Sequence, residues 1–357
     1  MKANQLKSYI LQALNMAINI DGETSFTNSF DVKVTAEGFY FIPRVPTSYL
    51  LNSDLYQKIY AIANASLYPQ FTVLKQSGAY FVPLKSENIN TQRAFFFPWV
   101  KGIPTRLKVD NLESMINSTS KNHVPLLKNL SLDYDKVNSI ALAGNSGSGK
   151  SYHLVYWLNV LKNFSSLTII DPKFDSPSRW AKYNDVKVIA PDRNRSKSDI
   201  LTNVNNVLSE HVDLIHERQS ILYENPKAHF EHATIVIDEL LALTTGVPKQ
   251  IKDSFFSLLS EIALMGRATK VHLLMVSQRF DANALPVSVR EQCNVLIQLG
   301  NINRKTTQFL FPDLDNPEDI VIPNGIGTGL IQIIDGEHPN NVMPFLTATF
   351  KEKEGVF

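Results

Sequence analysis

The residues able to do chemistry begin at Gly144. Positions 144–151 read Gly144-Asn145-Ser146-Gly147-Ser148-Gly149-Lys150-Ser151, the pattern G-x-x-x-x-G-K-S, set between an apolar run (SIALA) and a helical one (YHLVYWL). Glycines at this spacing let successive backbone N–H groups turn inward around phosphate oxygens, and the following helix adds the positive end of its dipole. Lys150 then brings a point charge to the β- and γ-phosphates, and the Ser151 hydroxyl completes the shell of a Mg²⁺ ion. The expectation is an ATP site built from Gly144 through Ser151, with Tyr152 next to it in the helix and Mg²⁺ as its ion. A chance Gly/Ser-rich turn is the bland alternative, and the strand–loop–helix setting argues against it.

A second cluster lies at residues 232–239, HATIVIDE, an apolar strand ending in Asp238-Glu239. Beside a phosphate loop, an Asp at a strand's carboxyl end holds Mg²⁺, usually through water. Glu239 is then placed to polarise an attacking water as general base. A kinase for a small molecule has no need of that second carboxylate, so the pair favours hydrolysis. The plainer alternative is an acidic pair capping the helix that follows (LLAL). Gln278 closes a third strand, VHLLMVSQ. An amide there can touch the γ-phosphate and report its loss, although strand ends are often polar.

These residues need a frame. The chain has 357 residues, enough for about two domains. At 44% hydrophobic it can bury a full core, which excludes wholesale disorder. Lys and Arg number 35 against 34 acids, so any nucleic-acid contact must come from local charge. One cysteine, Cys293, excludes a disulfide framework and a Cys-rich zinc module. His211, His216, His229 and His232 lack metal-ligand spacing and read as structural or exposed. No apolar run reaches the ~18–20 residues of a membrane span, and residues 1–28 lack the pattern of a secretory signal, so a cytoplasmic location is expected.

Past residue 120 the pattern alternates. Short apolar strands are expected at 139–143, 167–170, 186–190, 233–237, 272–277 and 295–299, with helices at 151–163, 199–223 and 251–264 and a late edge strand at 329–334. Strands that are apolar throughout and alternate with helices indicate a mostly parallel sheet covered on both faces, an α/β fold. Before residue 120, a helix over 5–19 and aromatic, β-branched runs at 32–43, 71–83 and 94–100 predict a smaller α+β module of antiparallel strands. The polar stretch 114–123 is the expected boundary, giving domains 1–120 and 121–357.

In order, AGNSGSGKS, TIIDPK (168–173), IVIDEL (235–240) and LMGRATKVHLLMVSQR (264–279) resemble the FtsK/SpoIIIE family of P-loop DNA translocases, within the FtsK–HerA superfamily. Residues 284–311, followed by NGIGTGLIQIIDGEHP, resemble the FtsK-like coupling proteins of Gram-positive conjugative elements more than the chromosome segregation motors. The likeness spans about residues 123–349. It implies a RecA-like core that assembles as a homo-hexameric ring around double-stranded DNA, with ATP bound between subunits. Arg267 matches the position of an arginine finger, which would complete a neighbour's site; the plainer reading is a C-terminal helix Arg pairing with its own dipole. Arg290 is a second candidate, for an intersubunit or a sensing role. Asp171 and Lys173 are expected near the nucleotide, in no assigned role.

The chain shows neither the membrane helices that precede the motor in segregation motors nor the winged helix that follows it. Any membrane docking would therefore run through a partner; for residues 1–120 guiding assembly, binding a relaxase and docking to a membrane-channel protein all stay open. Candidate DNA contacts are Thr244–Lys252, with Lys249 and Lys252, and Arg279; the run Arg193-Asn194-Arg195-Ser196-Lys197 reads more readily as a solvated loop. Three functions follow: an ATP-driven double-stranded DNA translocase serving a mobile element, a HerA-like or phage-type packaging or extrusion ATPase, and a non-motor P-loop switch or kinase.

Overall fold

The computed structural model describes residues 3–18, 29–44, 52–76, 79, 81–192, 194–281, 284–336, 341–351 and 356. The chain forms two compact units: Met1–Pro104 with Asp313–Val321 and Asn341–Met343, and the remainder from Thr105 onward. The division falls at Pro104/Thr105, not at residue 120. The polar stretch taken for a boundary is a short helix capped by Asn111, whose side chain accepts from the Ser114 N–H at 2.9 Å; it belongs to the second unit.

The first unit holds α1 (Ala3–Ile18), β1 (Phe30–Val34), β2 (Gly38–Pro43), α2 (Ser53–Leu67), β3 (Phe71–Val73), β4 (Phe81–Pro83) and β5 (Arg93–Lys101). The strands run β1-β2-β5-β3, with β4 also on β5, all antiparallel. The run 32–43 is thus a hairpin rather than one strand, turning at residues 35–37, where the Thr35 N–H reaches the Gly38 carbonyl at 2.8 Å. The aromatics form the core. Phe39 stacks on Phe97 at 4.8 Å and Tyr56 on Phe97 at 4.4 Å, with all three rings buried.

Asp313–Val321 returns to this unit through one buried cation. Lys75, with no side-chain exposure, donates to Asp319 at 3.2 Å and lies 4.4 Å above the Tyr60 ring. Burial pulls the Lys75 pKa down against the opposing charge of Asp319. Asn64 adds a bond to the Asp319 carbonyl at 2.8 Å. A buried ammonium stays charged only when paired in this way.

The second unit carries, in order, β6 (Lys108–Val109), α3 (Leu112–Ser118), β7 (His123–Leu127), β8 (Leu130–Asp133), β9 (Ser139–Gly144), α4 (Lys150–Leu161), β10 (Ser165–Ile170), α5 (Ser176–Asn184), β11 (Lys187–Ile189) and α6 (Lys197–Glu224). There follow β12 (His232–Ile237), α7 (Leu240–Thr244), α8 (Lys249–Thr269), β13 (Val271–Ser277), α9 (Val287–Arg290), β14 (Cys293–Leu299), α10 (Arg304–Thr307), β15 (Thr328–Ile333), β16 (Met343–Leu346, of this unit from Pro344 on) and β17 (Thr349–Phe350). The main sheet has eight strands in the order β11-β10-β12-β13-β9-β14-β15-β16. From β11 to β14 every pairing is parallel, and β15 lies antiparallel on β14. The late strand is therefore not the edge, since β16 lies outside it.

Right-handed crossovers decide the layers. The chain moves one way along the sheet through α4 and α5 and back through α6 and α8, so the two pairs cover opposite faces. The packing agrees, α4 against α5 and α6 against α8. α4 is buried almost all round, from His153 to Leu161, as a helix at the centre of such a layer must be.

α8 runs five residues beyond its expected end and takes Gly266-Arg267-Ala268 into its last turn. A side chain at position 266 would bring a Cβ within 2.1 Å of the Val271 carbonyl, so this glycine is required by the close approach of α8 to the start of β13.

Candidate nucleotide site

Because β9, β12, β13 and β14 are parallel, their carboxyl ends share one edge, with β13 between the strand of the phosphate loop and that of the acidic pair. Gly144, Asp238-Glu239 and Gln278 all leave the sheet there.

The loop after β9 turns on Gly147 (φ 77°) and Gly149 (φ 95°), a left-handed backbone that glycine adopts freely. Lys150 opens α4 and folds back over the loop, donating to the carbonyls of Gly144 and Asn145. Burial lowers its pKa despite the charges of Glu239 and Asp238. Residues 325–328 brace the loop from outside. The Gly327 N–H donates to the Ser148 carbonyl at 3.0 Å, and the Gly327 Cα lies where a Cβ on Gly149 would meet it, at 3.2 Å. Arg106 holds this brace through the carbonyls of Ile326 (2.8 Å) and Thr347 (3.0 Å).

Tyr152 does not turn its side chain to the loop. Its hydroxyl is bonded to the Phe350 backbone and its ring stacks on Phe350 at 4.5 Å. Asn145, Ser146 and Gly147 are exposed at the loop's tip, Ser148 is buried, and Ser151 is half-buried in the first turn of α4.

Asp238 and Glu239 are both buried. Burial, and then the charge of Asp171, push the Asp238 pKa up to about 7. A carboxylate so crowded by negative charge is suited to a cation, and among the described residues Asp238 accepts no side-chain hydrogen bond. Mg²⁺ takes hard oxygens, commonly one carboxylate and a hydroxyl with the substrate's phosphates. Asp238 and Ser151 fit that donor set. No cluster of three His, Cys, Asp or Glu side chains able to hold a metal exists among the described residues.

Glu239 is held from three sides. Its Oε2 pairs with the Lys173 ammonium at 2.8 Å, while its Oε1 accepts from the Ser277 hydroxyl at 3.3 Å and the Gln278 N–H at 3.2 Å. Its backbone is left-handed, φ 57°, an uncommon conformation outside glycine. Lys173 is placed by Asp171, which is fully buried. The Asp171 carboxylate accepts from the N–H groups of Lys173 (3.0 Å), Phe174 (3.1 Å), Asp175 (2.8 Å) and Ser178 (3.2 Å), and from the Ser178 hydroxyl at 2.6 Å. Burial draws the Lys173 pKa down, but the bond to Glu239 and the surrounding carboxylates raise it further.

The Gln278 side chain is exposed and lines a cavity of about 460 Å³ with Gly144, Asn145, Arg279, Gln298 and Asn301, beside the phosphate loop. Arg279 pairs with Asp281 at 3.0 Å, and Arg290 donates to the Phe280 carbonyl at 2.9 Å, bracing the segment after Gln278.

Arg267 stands apart. It is exposed in the last turn of α8, just before β13 begins, and so lies at the end of the sheet opposite its own phosphate loop. The structure does not bring it to Lys150 or Glu239 of the same chain.

The basic candidates gather on the carboxyl edge. Thr244–Lys252 joins α7 to α8, and Lys197 at the start of α6 donates to the Thr245 carbonyl at 3.4 Å. Arg195 is tied to Asp192 at 3.9 Å, and Arg193 lies outside the described residues. His232 is buried at the far end of the sheet, 2.8 Å from His272, and burial pushes the pair down to about 4 and about 3, keeping both neutral. Sequence reasoning missed Arg106, Gly327 and the pairing of Lys173 with Glu239. Only the placement of Asp171-Pro172-Lys173 after a strand hinted at the last.

No family model matches the chain. The FtsK domain-containing protein YdcQ of Bacillus subtilis (strain 168) is 25% identical over 217 residues, 57% of this chain and 43% of that protein. The match thus covers less than half of the relative's length. Among solved structures, the pCW3 conjugation coupling protein TcpA, in its monomer form with ATPγS, aligns over 98% of this chain and 95% of its own at a TM-score of 0.56 and 19% identity. A structure of EssC (ATPases 2 and 3) from Geobacillus thermodenitrificans covers 72% of this chain and 50% of its own at 0.49 and 12%. No helix among the described residues is long and apolar enough to cross a membrane. The chain is thus similar in sequence to an FtsK domain-containing protein, and in fold to a conjugation coupling protein.

Proposed function

We propose that this chain hydrolyses ATP with Mg²⁺ and uses the energy to move along double-stranded DNA, as a ring of identical subunits, a hexamer, serving a mobile genetic element. The observation that carries the reading is a continuity of backbone. Glu239 is the N-cap of α7, and α7 runs directly into the basic segment Thr244–Lys252. A shift of Glu239 during hydrolysis is thereby linked to a segment able to grip phosphates. The YdcQ and TcpA names, an FtsK domain and a conjugation coupling protein, support the assignment to DNA transfer.

In this reading the loop N–H groups from Gly144 to Tyr152 and the Lys150 ammonium bind the ATP phosphates, and Ser151 and Asp238 hold Mg²⁺, which offsets phosphate charge. Glu239 polarises the attacking water. Gln278 senses the γ-phosphate, and Arg267 of a neighbouring subunit stabilises the charge that develops. The place of action is the cytoplasm, with a relaxase or a membrane-channel protein as the further partner.

Duplex DNA is expected to stimulate hydrolysis by the purified protein. Replacing both Lys249 and Lys252 by Ala should remove most of that stimulation and reduce the slope of log affinity against log salt by about 2, one phosphate contact per lysine. Hydrolysis indifferent to duplex DNA in the unaltered protein would overturn the proposal.

A further inference from the structure

A general base must offer a lone pair to its water. In this arrangement Glu239 carries three of the roughly four hydrogen bonds a carboxylate can accept, and at 4% exposure its less occupied oxygen, Oε2, is covered by the Lys173 ammonium. Its partners differ in kind. The Ser277 hydroxyl and the Gln278 N–H sit at and just past the end of β13, a strand buried along its whole length, so their backbone is fixed by the sheet. Lys173 stands on a turn outside the sheet with its side chain 42% exposed, so it can leave Glu239 for solvent or phosphate without crossing the core. The turn that carries it is built around the single buried carboxylate of Asp171 and includes Phe174, an exposed ring on a left-handed backbone (φ 56°). Thus one movable cation decides whether Oε2 of the hydrolytic carboxylate is occupied, while Oε1 stays bonded to Ser277 and Gln278.

From this geometry we infer that Lys173 is a positioning residue that holds Glu239 in an idle state, and that its release from Oε2 frees the carboxylate for water. The inference rests on the hydrolytic role given to Glu239. It assigns to Lys173 a restraint on hydrolysis: a lysine that assisted phosphate binding would raise the rate, whereas a lysine that occupies the base lowers it.

Two measurements test it. In nucleotide-free protein, thermal unfolding of Lys173→Met, Glu239→Gln and the double variant should show coupling, with the double variant destabilised less than the sum of the singles. Additive shifts would mean that the pair does not exist in solution and would overturn the inference. In hydrolysis assays without DNA, Lys173→Met should raise the rate about tenfold, the factor that goes with breaking a charge-assisted hydrogen bond. Lys173→Arg, which keeps the cation, should return it to the low level. A rate at or below that of the unaltered protein in Lys173→Met would overturn the restraint. The two possible failures separate cleanly: if Glu239→Gln is inactive and Lys173→Met is not accelerated, only the restraint falls, whereas full activity in Glu239→Gln removes the hydrolytic reading as well.

Discussion

Glu239→Gln is expected to reduce steady-state ATP hydrolysis by at least ~10²-fold, the lower range of what a positioned general base contributes. Nucleotide binding should survive, because the phosphate loop and Lys150 make no hydrogen bond to Glu239. The amide oxygen can still accept from the Gln278 N–H and the Ser277 hydroxyl, so the end of β13 keeps its anchor. The ion pair with Lys173 is lost, but Lys173 is substantially exposed and can be solvated. Phosphate release and fluorescent-nucleotide binding, measured on the same preparation, check both halves. Lost hydrolysis with retained affinity is the expected pair of results. If Glu239 were only a helix cap, hydrolysis would persist and stability alone would fall.

Arg267→Ala is expected to lower hydrolysis by roughly 10³-fold, the scale of a missing arginine finger, with ATP affinity nearly unchanged. The geometry makes this prediction specific. Arg267 is exposed at the far end of the sheet from its own phosphate loop, so any effect on catalysis must come from another subunit. Mixing Arg267→Ala with Glu239→Gln protein should therefore restore activity, since a site with an intact Glu239 can then receive Arg267 from its neighbour. If the arginine only caps the dipole of α8, the single variant will be active and slightly less stable, and mixing will gain nothing.

The second unit is readable because its signals are local. The loop from Gly144 to Ser151 and the strands ending in Glu239 and Gln278 each announce themselves within about ten residues, and parallel strands carry such ends to one edge. Element limits were less legible. α8 runs past its predicted end at 264 to Thr269, and Gly266 within it serves the contact with β13. α2 was not foreseen, since its buried face includes Tyr56 and Tyr60, aromatic residues that suit strands equally well. The return of Asp313–Val321 to the first unit brings Asp319 to Lys75, 244 positions away, which no local pattern encodes. Lys173 and Glu239 are likewise 66 residues apart. For that reason the acidic pair was legible as chemistry, while the restraint on it was not.

If ATP hydrolysis drives movement along duplex DNA, displacement of a third strand from a linear duplex reads that movement out. The unaltered protein should release the third strand with ATP and Mg²⁺, faster than it dissociates unaided, and Glu239→Gln protein should not. Release that is equally fast without ATP, or none at all while duplex DNA still stimulates hydrolysis, would contradict translocation.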